Sequence, residues 1–107
     1  MSDVLISEIV VPADHPALAG HFPGNPIVPG VVLLDAVLAA IRTQRPCTLL
    51  AMPGVKFLRP VLPQECIELR IEFASDKENT VRARFQGSRQ QLPVFEGTFV
   101  LSTGAAP

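Results

Sequence analysis

The chain has 107 residues, 48% of them hydrophobic and 18% charged, and a formal net charge of −1. That length fits one domain with a modest core, and the near-neutral balance excludes a surface built as a whole to attract nucleic acid or an anionic membrane. A mean hydropathy of +0.33 is high for so small a soluble chain and predicts that some apolar surface lies in a subunit interface.

The opening residues, MSDVLISEIVVP, have no basic start and no small-residue cleavage site, so they read as mature and cytoplasmic. The longest apolar run, residues 30–41, is short and interrupted by Asp35, which argues against a membrane span. Cys47 and Cys66, with only His15 and His21 to join them, match no metal-ligand spacing, and no metal site is expected.

Residues 4–11 are rich in β-branched side chains and stop at Pro12, which predicts a strand. From Pro12 to Pro29 there are five prolines and two glycines. Proline neither donates to a ladder nor continues a helix, so this is an irregular segment held in one shape, and long structured loops in compact domains are usually functional. Residues 30–42, GVVLLDAVLAAIR, contain no breaker and are apolar on nearly every face, which predicts a buried helix. A turn at residues 43–46 leads to a strand over 49–58, where Pro53-Gly54 marks a bulge. Ile67, Leu69, Ile71 and Phe73 then alternate with Glu68, Arg70 and Glu72, the period of a strand with one wet face. Val81, Ala83 and Phe85 repeat that rhythm, and Phe95, Phe99 and Leu101 mark one face of a last strand that includes Gly97. Short turns at 75–79 and 87–91 suit antiparallel hairpins. The fold class is therefore α+β, an antiparallel sheet over one helix. A second copy, in a two-fold dimer, would cover the side of the helix that the sheet leaves open.

Three features of the proline-rich segment and the helix carry chemistry. His21 titrates near neutrality and sits among Pro23, Pro26 and Pro29, which stiffen its loop. Gly30 opens the helix, where backbone N–H groups lack intrahelical partners and can polarise a carbonyl oxygen. Asp35 is the one carboxylate in an otherwise apolar helix, where burying it unpaired would be costly. Each also has an ordinary structural explanation: a loop imidazole, common turn residues, and a polar side chain tied to a backbone donor. The residues alone leave both accounts open.

The string GHFPGNPIVPGVVLLDA, residues 20–36, resembles the signature of the 3-hydroxyacyl-(acyl carrier protein) dehydratases of type II fatty-acid synthesis, which are hot-dog folds. The segment PGVKFLRPV, residues 53–61, is similar to the strand those enzymes place next. The resemblance implies a single hot-dog domain, an antiparallel sheet wrapped around one central helix. It implies His21 and Asp35 as the acid/base pair, met across a dimer interface, with the Gly30 N–H receiving charge from the thioester carbonyl. Asp at the acidic position is the choice of the branch that also isomerises its product, while Pro23 in the loop resembles the branch that carries Glu. The chain is shorter before its first strand than the housekeeping enzymes, as are compact members that serve polyene-pigment and other specialised acyl pathways. An acyl chain would lie against Phe22, Ile27, Leu34, Val55 and Phe57. Lys56 and Arg59 would meet an acidic acyl carrier protein, although coenzyme A could also deliver the thioester. The expected assembly is a homodimer, or a heterodimer with a related hot-dog subunit, with no nucleic acid, no membrane and no cofactor. Two alternatives are a non-catalytic partner subunit and an acyl thioesterase, the second disfavoured by the GHFPG loop.

Overall fold

A computed structural model of the chain describes residues 3–18 and 27–102. Its elements are strand β1 (Asp3–Ile9), a short 3₁₀ turn (Pro16–Leu18), helix α1 (Gly30–Arg42), and strands β2 (Thr48–Phe57), β3 (Ile67–Ser75), β4 (Thr80–Arg89) and β5 (Leu92–Ser102). All pairings are antiparallel, and the strands lie in the order β1-β3-β4-β5-β2. Helix α1 thus leaves from one edge strand and returns to the other, which carries it across one face of the sheet.

The strand periodicity reads directly onto that face. Ile67, Leu69, Ile71 and Phe73 of β3, Ala83 and Phe85 of β4, and Phe95, Phe99 and Leu101 of β5 are all buried, together with Val37 and Ile41 of α1. Fully burying a side chain of this size contributes about 1.5–3 kcal/mol. The Phe85 ring packs tilted against Phe99, with centroids 4.7 Å apart, and against Phe95 at 6.1 Å, within the range of favourable edge-to-face geometry.

The anticipated bulge in β2 is present. Its register against β5 shifts between Leu49 and Ala51 and again between Ala51 and Gly54, around Pro53.

The second hairpin differs from the sequence expectation. Gly87 is not part of the turn: β4 runs on to Arg89, and the connection is Gln90-Gln91, both at positive φ (52° and 69°). The physical reason lies across the ladder. Gly87 pairs with Phe95, and a Cβ on Gly87 would sit 2.4 Å from that ring. The glycine makes room for an aromatic side chain rather than for a bend.

The helix is covered on one side only, as a single sheet over one helix requires. Val32, Leu33, Val37 and Ile41 are buried, but Val31 is 64% exposed and Asp35 is exposed. A single sheet covers one side of a helix, and the apolar residues on the other side stay open in the isolated chain. Arg45, just beyond the helix, pairs with Asp3 of β1 and stacks 4.3 Å above the Phe73 ring, which fixes the helix end to the sheet.

Candidate functional site

The start of α1 is held from below. Buried Val28 donates its N–H to the carbonyl of buried Val61 at 2.8 Å, so the chain entering the helix is tied to the segment that follows β2. That segment is itself braced: Leu58 and Arg59 donate their N–H groups to the carbonyl of Val94, the Arg59 guanidinium donates to the carbonyl of Pro93, and Arg89 donates to the carbonyl of Pro60 and to Glu65.

Pro29 is the N-cap, with extended backbone (φ −62°, ψ 145°), and its carbonyl accepts from Val32 and Leu33. Proline supplies no side-chain cap, and among the described residues the N–H groups of Gly30 and Val31 have no acceptor. The Phe57 ring lies across this helix end, where a Cβ on Gly30 would be 2.6 Å from its Cζ atom. Glycine is therefore the residue that lets an aromatic side chain sit on the helix N-terminus. Phe57 remains 51% exposed and Ile27 is half-buried, so Gly30 and Phe57 form a partly open apolar mouth at the helix start.

Asp35 projects one turn further along α1, on the same stripe as Val32 and Ala36. It lines an open cleft of about 280 Å³ between the helix and the end of β1, walled by Ile9, Val10, Val11, Pro12, Val32 and Ala36, with His15 as the second polar side chain among the described residues. The carboxylate is exposed, so the burial cost anticipated from the sequence does not arise in the single chain. The sequence offers His15 only as a metal-ligand candidate; its place in the cleft of Asp35 depends on how the loop after β1 folds back over the helix.

The remaining sequence-predicted residues fall elsewhere. Leu34 is half-buried against the core. Val55 pairs with Gly97 and lines a separate groove of about 610 Å³ with Lys56, Arg70, Glu72, Arg84 and Glu96. Lys56 is exposed opposite Glu96, while Arg59 is engaged with the carbonyl of Pro93. The structure thus joins Gly30 to Phe57 and Asp35 to His15, and sets Val55 and Lys56 apart from both. His21 and Phe22 lie outside the described residues. The Cys66 thiol is pushed up from its ordinary pKa, first by loss of hydration and then by Glu8 and Glu68; since Cys66 is exposed, the two carboxylates are the more substantial cause. No helix among the described residues is long and apolar enough to cross a membrane.

Known proteins resemble this chain in sequence and in shape. Over 80 residues, 63% of this chain, it is 35% identical to the 3-hydroxyacyl-[acyl-carrier-protein] dehydratase FabZ of Anaeromyxobacter sp. (strain Fw109-5), covering 51% of that protein. Against FabZ of Proteus mirabilis (strain HI4320) the identity is 36% over 85 residues, 69% of this chain and 55% of the relative. The chain therefore spans about half the length of these curated relatives. Among solved structures, a chain of the dehydratase heterocomplex ApeI:P from Xenorhabdus doucetiae superposes with a TM-score of 0.73 at 21% identity, covering 95% of this chain and 94% of that one. The family described as ApeI-like, ApeI dehydratase, matches residues 2–98. A match of that extent, on a sheet and helix arranged as a hot-dog fold, places the chain in the ApeI-like dehydratase family.

Proposed function

We propose that the chain dehydrates a 3-hydroxyacyl thioester, carried on acyl carrier protein, to a trans-2-enoyl thioester in fatty-acid or polyene-type biosynthesis. The observation that carries this reading is Asp35, an accessible carboxylate in a mostly apolar cleft on a helix whose first N–H groups, at Gly30 and Val31, have no acceptor among the described residues. A second copy laid over this open cleft would exclude water from it, and such a surrounding strengthens the interactions of a positioned acid.

In the reaction, His21 removes the proton from C2, and Asp35 protonates the departing 3-hydroxyl, which leaves as water. The Gly30 N–H receives the charge that develops on the thioester carbonyl. A two-fold dimer brings the histidine of one copy to the carboxylate of the other. Phe22, Ile27, Leu34, Val55 and Phe57 are proposed to contact the acyl chain, and Lys56 and Arg59 the carrier protein.

Incubation with a 3-hydroxyacyl carrier protein, followed by intact mass, tests the reaction. Wild type is expected to lose the mass of one water. His21→Ala and Asp35→Asn should each slow that loss by on the order of 10²- to 10⁴-fold. Full activity in either variant would refute the assignment.

A second reading has support of its own: the structural neighbour from Xenorhabdus doucetiae is a two-protein dehydratase assembly. By that analogy this chain would pair with a related hot-dog subunit and contribute Asp35 or His21 to a shared site. Inactivity alone with activity restored by a co-expressed dehydratase subunit would favour it.

A further inference from the structure

We propose that the face of the sheet turned away from α1 is a self-pairing surface, on which a second copy of this chain packs sheet to sheet about a two-fold axis. This contact is separate from the one that would complete the site, and it stands whether or not the chain is a dehydratase.

The strand register arranges the outward side chains in two rows. One level across the five strands, Leu5, Ile71, Phe85, Gly97 and Val55, faces the core. On one side of that level the outward residues are Ile6, Arg70, Gln86, Glu96 and Lys56, and on the other they are Val4, Glu72, Arg84, Thr98 and Gly54. The groove of about 610 Å³ is centred on this level and takes its charged lining from both rows.

The two rows complement each other. A two-fold axis lying along the level turns one row onto the other, so that each contact occurs twice with the roles exchanged. Arg70 of each copy then faces Glu72 of the other, Gln86 faces Arg84, Glu96 faces Thr98, and Ile6 meets Val4. The next outward residues follow suit: Glu68 meets Ala74, and Ser88 meets Arg82. No like charges are opposed in these pairs, whereas an axis along either row itself would set Arg70 on Arg70 or Arg84 on Arg84.

The groups involved are available for such exchange. Arg70 meets Glu72 of its own chain at 3.4 Å, with both side chains about half exposed, and an exposed pair of this kind is worth little. Arg84, Lys56 and Glu96 have no ion pair among the described residues. Val4 and Ile6, 36% and 55% exposed, add apolar surface at the β1 end of the face, which a second copy would cover. Five strands about 4.8 Å apart make a face about 24 Å across, and a contact five residues long on it covers on the order of 400 Å² per copy. That is about half of a standard interface, so the association is weaker than a permanent one and depends on protein concentration.

Sedimentation of the full chain at rising concentration tests the proposal. The wild-type mass should double from that of the dilute assembly. Arg70→Glu and Glu72→Arg should each abolish the doubling, since the first makes this contact acidic on both copies and the second makes it basic. Mixed in equal amounts, the two variants should associate with each other, and both substitutions in one chain should restore the doubling. Recovery on mixing separates loss of the contact from loss of the fold. A wild-type mass that does not change with concentration overturns the proposal, also if an acidic carrier protein or a related subunit then binds this face. Doubling that survives both single variants, or variants that stay apart when mixed, overturns it as well.

Discussion

Two glycines illustrate how individual residues decide the packing. Gly87 and Gly97 each pair across the β4–β5 ladder with a phenylalanine, Phe95 and Phe85 respectively. In each case the ring occupies the space a side chain would need: a Cβ on Gly97 would fall 2.7 Å from Phe85 and 2.8 Å from the carbonyl oxygen of Gly54. The second contact is with backbone, which cannot swing away as a flexible side chain could. Gly97→Ala is therefore expected to destabilise by about 1–3 kcal/mol, the usual cost of overpacking a filled core. Chemical denaturation checks this, and a variant as stable as wild type would mean that the β2–β5 ladder yields more readily than its geometry suggests.

At the level of elements, the β4–β5 hairpin and helix α1 each carry a tension between local preference and tertiary demand. Gln90 and Gln91 both adopt positive φ, a region that side chains with a Cβ occupy at a cost. A two-residue hairpin turn of this hand is favoured by Asn-Gly. Replacing Gln90-Gln91 with Asn-Gly is expected to stabilise by about 1 kcal/mol, raising Tm by on the order of 4–8 °C; an unchanged or lower Tm would contradict the strain. Helix α1 is apolar on more sides than its own sheet can cover. Its buried stripe of Val32, Leu33, Val37 and Ile41 meets the sheet, and Val31 stays outside it. The surplus is intelligible if the helix serves an assembly as well as a single chain.

The whole molecule points the same way. Strand β2 is an edge of the sheet, and it displays Leu50 (53% exposed) and Met52 (50% exposed) beside an outer side that no strand among the described residues pairs, with Phe57 and Leu58 exposed at its end. An exposed apolar edge is a pairing surface that proteins normally cover. Two copies joined along β2 would continue the sheet and cover the open side of α1, which is also what the proposed two-chain site requires. Sedimentation should accordingly give a dimer, and Leu50→Lys should shift it toward monomer and lower dehydration in parallel. A wild-type monomer with full activity would rule out a site shared between copies.

What the sequence determined by itself is local. The limits of α1, residues 30–42, and the wet and dry faces of β3 follow from the spacing of neighbouring side chains, because helical and extended backbones impose their periods over a few residues. The acid/base candidates His21 and Asp35 were legible for a different reason, the string of residues 20–36, which carries the family resemblance. The tertiary structure alone decided which segments meet. It set β2 at the sheet edge, made Gly87 a seat for Phe95 instead of a turn, laid Phe57 over Gly30, and brought His15 into the cleft of Asp35. None of these has a local signature, because each depends on the fit between faces far apart in the chain, and that fit exists only once the sheet has closed over the helix.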